Sequence, residues 1–166
     1  MDNVSLREVT INDAFDLQPI WTDFDVIKYT MINDMESIDN VKSRIERQLK
    51  WKDFDGIGPF VILMDNAIIG YCGGTKTNST IKEYEIFYHL RKEEWGKGIG
   101  TKVVKMLIEI AFESKKAGRV IAETVVENIG SCRVLEKIGM KRREIIKRKI
   151  RNNKVENKMF VYEIIK

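Results

Sequence analysis

Apolar and polar positions along the chain change period several times. Residues 4–9 can form a strand, closed by Thr10-Ile11-Asn12-Asp13, where Asn12 or Asp13 can cap a helix. Phe15, Leu17, Ile20, Trp21, Phe24 and Ile27 then give an imperfect helical stripe that Pro19 interrupts. After Ser37, the positions Ile38, Val41, Ile45 and Leu49 recur at three- and four-residue spacing and predict a second helix. Residues 53–59 carry turn chemistry, and residues 60–64 and 67–73 read as strands joined at Asp65-Asn66. Residues 83–90 predict another strand, with Glu83, Glu85 and Phe87 on one face and Tyr84, Ile86 and Tyr88 on the other.

Beyond a glycine-rich turn, Ile99, Val103, Leu107, Ile110 and Ala111 repeat at helical spacing until Gly118. Residues 119–126 form a β-branched run, 128–138 a short helix stopped by Gly139, and 140–150 and 155–165 two strands around the turn at 151–154. The predicted order is strand, two helices, three strands, helix, strand, helix, two strands. That is a mixed α/β (α+β) sheet and not a regular βαβ wind.

The chain has 166 residues, 43% hydrophobic and 33% charged, which suits one globular domain over 1–166. No apolar run approaches the ~20 residues of a membrane helix. The first residues carry neither a basic leader nor an apolar core, so a cytoplasmic protein is expected. Cys72 and Cys132 are the two cysteines and His89 the one histidine, which argues against a disulfide scaffold or a Cys/His metal site.

The net charge of +4 is unevenly spread. Residues 1–40 hold nine acids against two bases, and residues 141–158 hold nine bases against two acids. The basic stretch admits two readings, a nucleic-acid patch or the solvated face of a terminal hairpin. No aromatic-studded RNA-binding motif accompanies it, so the hairpin is preferred and direct nucleic-acid binding is not expected.

Trp95-Gly96-Lys97-Gly98-Ile99-Gly100-Thr101 lies between a strand and a helix, where glycines admit close backbone approach and helix-terminal amides favour phosphate. A P-loop is excluded because Gly98 follows Lys97, and the G-x-G-x-G spacing after a meander excludes a dinucleotide fingerprint. A pyrophosphate held by successive amides and a plain glycine turn both remain.

The arrangement resembles the GCN5-related N-acetyltransferase (GNAT) superfamily, whose pyrophosphate loop reads Q/R-x-x-G-x-G/A. Here Trp95 stands where Gln or Arg is usual, as in the RimJ/RimL branch, which modifies N-terminal amines of ribosomal proteins. Residues 128–140 (NIGSCRVLEKIGM) are similar to that branch's N-x-x-S-x-R-V-L-E-K-x-G-F/M signature. Residues 85–90 (EIFYHL) are similar to its E-I-G-Y-W-L strand, departing at Phe87 and His89. The resemblance implies a mixed sheet of about seven strands, splayed at the acetyl-CoA site and flanked by about four helices.

It further implies an acetyl-CoA-dependent N-acetyltransferase. Amides from Gly96 to Thr101 (Gly96, Lys97, Gly98, Ile99, Gly100, Thr101) would hold the pyrophosphate beside Trp95. Lys97, Lys102 and the bases near Arg133 would screen the other phosphates. Backbone groups of His89, Leu90 and Arg91 would pair with the pantetheine arm, and one N–H there would bind the developing oxyanion. Asn128 would cap its helix and bond the pantetheine.

Glu85 is the expected general base, acting through water, with Glu83 the alternative on the same face. An N-terminal amine of pKa ~8 is about 10% neutral at pH 7 and a lysine amine only about 0.04%, so a weak base suffices for the former. Leu135 occupies the place of the family's usual tyrosine acid, and Ser131 is what the branch offers in its stead; Cys132 is read as structural. The acceptor would enter between the first two helices and the last two strands, with the acids of residues 13–39 at its mouth. A protein N-terminus is the leading acceptor. The alternatives are a small-molecule amine (polyamine or aminoglycoside) and a catalytically silent acyl-CoA-binding module. The final strands offer an edge on which a second copy could pair as a homodimer.

Overall fold

The computed structural model describes residues 3–150 and 155–166. Seven strands form one sheet in the order β1-β2-β3-β4-β5-β7-β6. They are β1 (Val4–Glu8), β2 (Ile57–Met64), β3 (Ala67–Asn78), β4 (Glu83–Leu90), β5 (Arg119–Val125), β6 (Lys141–Arg148) and β7 (Asn157–Ile165). The helices are α1 (Ala14–Thr22), α2 (Phe24–Ile27), α3 (Ile38–Leu49), α4 (Ile99–Glu109) and α5 (Ile129–Lys137). Every neighbouring pair of strands is antiparallel except β4 and β5. The mixed sheet expected from the sequence is therefore present, with five helices instead of about four.

One face of the sheet is covered by α1 to α3, where Leu17, Ile20, Trp21, Val41 and Ile45 are buried and Trp21 meets Tyr71 edge-on with ring centroids 5.0 Å apart. The other face is covered by α4 and α5. Val103, Val104 and Leu107 of α4 have no accessible surface, and burial of such a side chain contributes roughly 1.5–3 kcal/mol.

Three boundaries differ from expectation. Pro19 does not break α1, which runs through it to Thr22 because Leu17, Ile20 and Trp21 on either side are anchored in the core. The break comes at Asp23, whose carboxylate accepts from the Asp25 amide and starts α2. β2 begins at Ile57, inside the segment read as a turn, and β3 continues to Asn78, since pairing with β4 gives those polar residues backbone partners. The turn expected at 151–154 lies outside the described residues.

The feature that positions the site is a gap. β4 and β5 pair only where residues 83–85 meet 119–121, and past Glu85 they carry no mutual hydrogen bonds. The Arg91 amide donates to the Ile69 carbonyl (2.8 Å) on the β3 side. Because successive backbone groups of a strand face opposite edges, Leu90 and Tyr88 turn theirs toward the gap.

Candidate active site

After β4 the chain makes one 3-10 turn (Lys92–Glu94) and reaches the glycine loop. Gly96 and Gly98 have φ of 77° and 78°, left-handed values that a side chain would strain. Gly98 is the N-cap of α4, and the first helical bond runs from the Lys102 amide to the Gly98 carbonyl. The amides from Gly98 to Thr101 therefore have no partner within the helix and stand at its positive end. Trp95 ties the loop to the sheet, its indole Nε1 donating to the Leu90 carbonyl (3.1 Å), one of the groups facing the gap. A Cβ on Gly100 would lie 3.1 Å from the Tyr88 ring, so the glycine lets that ring rest against the first turn of the helix.

These elements bound a cleft of about 370 Å³. Of the residues the sequence assigns to acetyl-CoA, it is lined by His89, Leu90, Trp95, Gly96, Gly98, Ile99, Gly100, Thr101, Asn128 and Arg133. Arg91 and Lys97 do not line it. The Arg91 amide is used by β3, and the Lys97 ammonium is paired with Glu94 (3.0 Å), which does line the cleft. Lys137, which the sequence reading did not single out, does line it.

A second cavity of about 280 Å³ lies between the α1 to α3 side and the last two strands, where the acceptor was expected. It shares Thr30, Tyr88, His89, Asn128 and Ser131 with the cleft, so the two spaces meet at those side chains. Glu85 lines it. Burial, reinforced by the Glu123 carboxylate and opposed by Arg148, pushes the Glu85 carboxyl up to about 7. Glu123 is itself raised by burial and is paired with Arg148 at 2.9 Å. Glu83 is differently placed. Its carboxylate is occupied by Thr77, Arg119 and Arg143, which makes Glu85 the carboxyl available in the cavity.

Asn128 caps α5, its Oδ1 accepting from the Ser131 amide (3.3 Å). Ser131 and Tyr88 line the same space, and burial, opposed by Ser131, raises the Tyr88 phenol to about 12 and so keeps it protonated. Leu135 is buried one turn further on; the hydroxyls at the meeting point are those of Ser131, Tyr88 and Thr30, and the last donates to the Ile27 carbonyl (2.9 Å). His89 lies there too, but burial and then Arg44 lower it to about 3. It stays neutral at physiological pH.

The acids of residues 13–39 do not form the expected rim. None is among the residues lining the cavity: Asp13 is paired with Arg7 (2.9 Å) beside Thr10, and Asp25 with Lys28 and Lys92. Much of the basic hairpin is also internally matched, with Arg142 stacked on Phe160 (4.1 Å) and paired with Glu136. The sequence reading passed over Tyr88, Glu123, Arg148 and Arg44. For Arg44 a signal existed, because with Val41, Ile45 and Gln48 it falls on the buried stripe of α3.

The sequence matches the acetyltransferase (GNAT) domain over residues 3–141. The chain belongs to the GNAT acetyltransferase family. An uncharacterized N-acetyltransferase, p20, from Bacillus licheniformis is 24% identical over 88% of this chain and 83% of its own. The fold is shared with a ribosomal-protein-S5-alanine acetyltransferase from Vibrio fischeri, with a TM-score of 0.86 at 19% identity over 99% of this chain and 94% of that one. A spermidine N-acetyltransferase from Vibrio cholerae, solved with CoA and spermine, superposes with a TM-score of 0.83 at 16% identity over 98% and 95% of the two chains.

This GNAT protein is accordingly an acetyl-CoA-dependent N-acetyltransferase. Among the described residues there is no cluster of His, Cys, Asp or Glu able to hold a metal, and no helix long and apolar enough to cross a membrane.

Proposed function

We propose that the GNAT protein acetylates the α-amino group of a protein or peptide N-terminus, in the manner of the RimJ/RimL branch. The observation carrying this reading is Glu85, a carboxyl with pKa about 7 in the cavity that meets the acetyl-CoA cleft. A base of that strength matches an α-amine of pKa ~8 and is poorly matched to a lysine amine of ~10.4. The branch signature at residues 128–140 supports the same reading.

The residues divide the work as follows. The free amides from Gly98 to Thr101, at the positive end of α4, hold pyrophosphate oxygens, with Gly96 and Trp95 shaping the loop and Arg133 and Lys137 supplying charge along the cleft. Asn128 and the edge of β4 from His89 to Leu90 line the path of the pantetheine arm. The Leu90 amide, facing the gap, receives the negative charge that develops on the thioester oxygen; loss of such a donor typically costs about 3–4 kcal/mol. Glu85 takes the proton released by the attacking nitrogen, through water. Ser131, backed by the protonated Tyr88, delivers one to the departing sulfur as the carbon–sulfur bond breaks. The neutral His89 contributes no proton, and its backbone groups, opposite Tyr71, face β3 and not the gap.

Release of free thiol from acetyl-CoA, measured with Ala-, Ser- and Met-initiated peptides, spermidine and an aminoglycoside, tests the proposal. Turnover is expected with the peptides at a kcat/KM at least about ten-fold above the polyamine and aminoglycoside. Turnover restricted to spermidine or the aminoglycoside would overturn the α-amine reading, and acetyl-CoA binding without turnover of any amine would mark a silent module.

A further inference from the structure

The acceptor cavity contains a cation that nothing in the described protein neutralises. Arg44 projects from the buried stripe of α3 into the cavity, over the Trp21 ring at 5.3 Å. Its Nε is buried with no hydrogen-bond partner, and no carboxylate among the described residues pairs with it. His89 lines the same cavity, on the β4 face that also carries Phe87, and its Nδ1 is likewise buried and unpartnered. Two residues that line one space therefore each hold a buried polar atom without a partner. Each unmade buried hydrogen bond costs about 1–3 kcal/mol, and the half-buried guanidinium has no countercharge among the described residues. The cavity's other charges do not relieve it: Arg148 is taken by Glu123, and Glu85 feels Glu123, Arg148 and Glu83.

We propose that Arg44 is a specificity residue that binds a carboxylate carried by the acceptor close to its reactive amine. This rests on reading the 280 Å³ space as the acceptor site. The planar guanidinium matches a carboxylate in two parallel hydrogen bonds, and an anion offsets a charge held over Trp21 and beside Tyr71. Arg44 lines the acceptor cavity and not the acetyl-CoA cleft, so its partner is not a phosphate of the carrier. The cavity then has an anionic part around Glu85 and a cationic part at Arg44, complementary to a molecule with both an amine and a carboxylate. A polyamine would bring a second ammonium against the guanidinium. The carboxylate has two sources: the α-carboxylate of a free amino acid or dipeptide, and the side chain of an Asp or Glu that begins a longer chain.

The test compares isosteres by kcat/KM: an Asp-initiated peptide against its Asn counterpart, and alanine against alaninamide, with spermidine as the cationic control. In the wild-type protein the carboxylate member of at least one pair should be favoured ten-fold or more, and which pair shows it identifies the source. Arg44→Gln should collapse that preference to below about three-fold, and Arg44→Lys should restore part of it. An acetyl-CoA-induced rise in Tm that persists in both variants establishes that they fold. No preference in either pair, a preference unchanged in Arg44→Gln, or spermidine as the best acceptor would overturn the inference. Should no amine be turned over, the catalytic reading fails by itself. Calorimetric binding of the same pairs to the CoA-loaded protein then decides the Arg44 inference by the same ratios.

Discussion

Glu85 shows how burial and neighbours turn an ordinary carboxyl into a group that titrates near neutrality. Its folded-state pKa of about 7 lies above the usual carboxylate value, so the folded protein binds a proton that the unfolded chain has already lost. Stability therefore falls as pH rises between about 4.5 and 7, and the whole penalty is present above that window. Glu85→Gln should then be more stable than wild type at pH 8 by about 3 kcal/mol, at roughly 1.4 kcal/mol per pKa unit, with the gain vanishing near pH 4. Urea melts at the two pH values measure this, and a variant less stable at pH 8 would contradict the assignment. His89 has the opposite dependence. Its lowered pKa means that the unfolded chain protonates first, so it contributes a loss of stability as pH falls below about 6.5.

The loop and helix at residues 95–109 were the most legible part of the chain, because glycine spacing and an apolar stripe are local signals. The structure adds what only packing reveals: Gly100 is small to admit the Tyr88 ring, and Trp95 is pinned to the Leu90 carbonyl. Gly100→Ala should displace that ring and raise the KM for acetyl-CoA about ten-fold, with little change in Tm; an unaltered KM would separate the ring from carrier binding. Leu107→Ala, in the fully buried stripe of the same helix, should cost about 2–5 kcal/mol in a denaturant melt. Strand β4 was also legible to the residue, since Tyr84, Ile86 and Tyr88 alternate with Glu83 and Glu85 and the run ends before the glycine loop. The starts of β2 and ends of β3 were not, because pairing with a neighbour decides them, and neither was Arg44, whose meaning depends on what α3 covers.

At the scale of the molecule, the site exists because two strands that start as partners part company beyond Glu85. One helix end points at the opening from the α4 side, and α3 closes it from the other. Charge asymmetry along the chain was plain in the sequence, but its consequence was not: Asp13 and Asp25 are paired with Arg7, Lys28 and Lys92, no acid of residues 13–39 lines the cavity, and the cavity is charged by residues from four separate elements. A saturating carrier should stabilise the folded protein by RT ln(1 + [L]/Kd), about 2.7 kcal/mol at a hundred-fold excess over Kd. Gly98→Val, which strains the left-handed cap of α4, should lose most of that rise in a thermal melt.

In the proposed mechanism Glu85 deprotonates the amine where the two spaces meet. The most direct measurement is kcat for acetyl transfer to a peptide N-terminus between pH 6 and 9, in wild type and in Glu85→Gln. With Glu85 as the base, the wild-type rate should climb with pH to a plateau above about 7, and the variant should be slower by about 10²-fold or more and lack that limb. An undiminished rate in Glu85→Gln, or an ascending limb that survives the substitution unchanged, would contradict it.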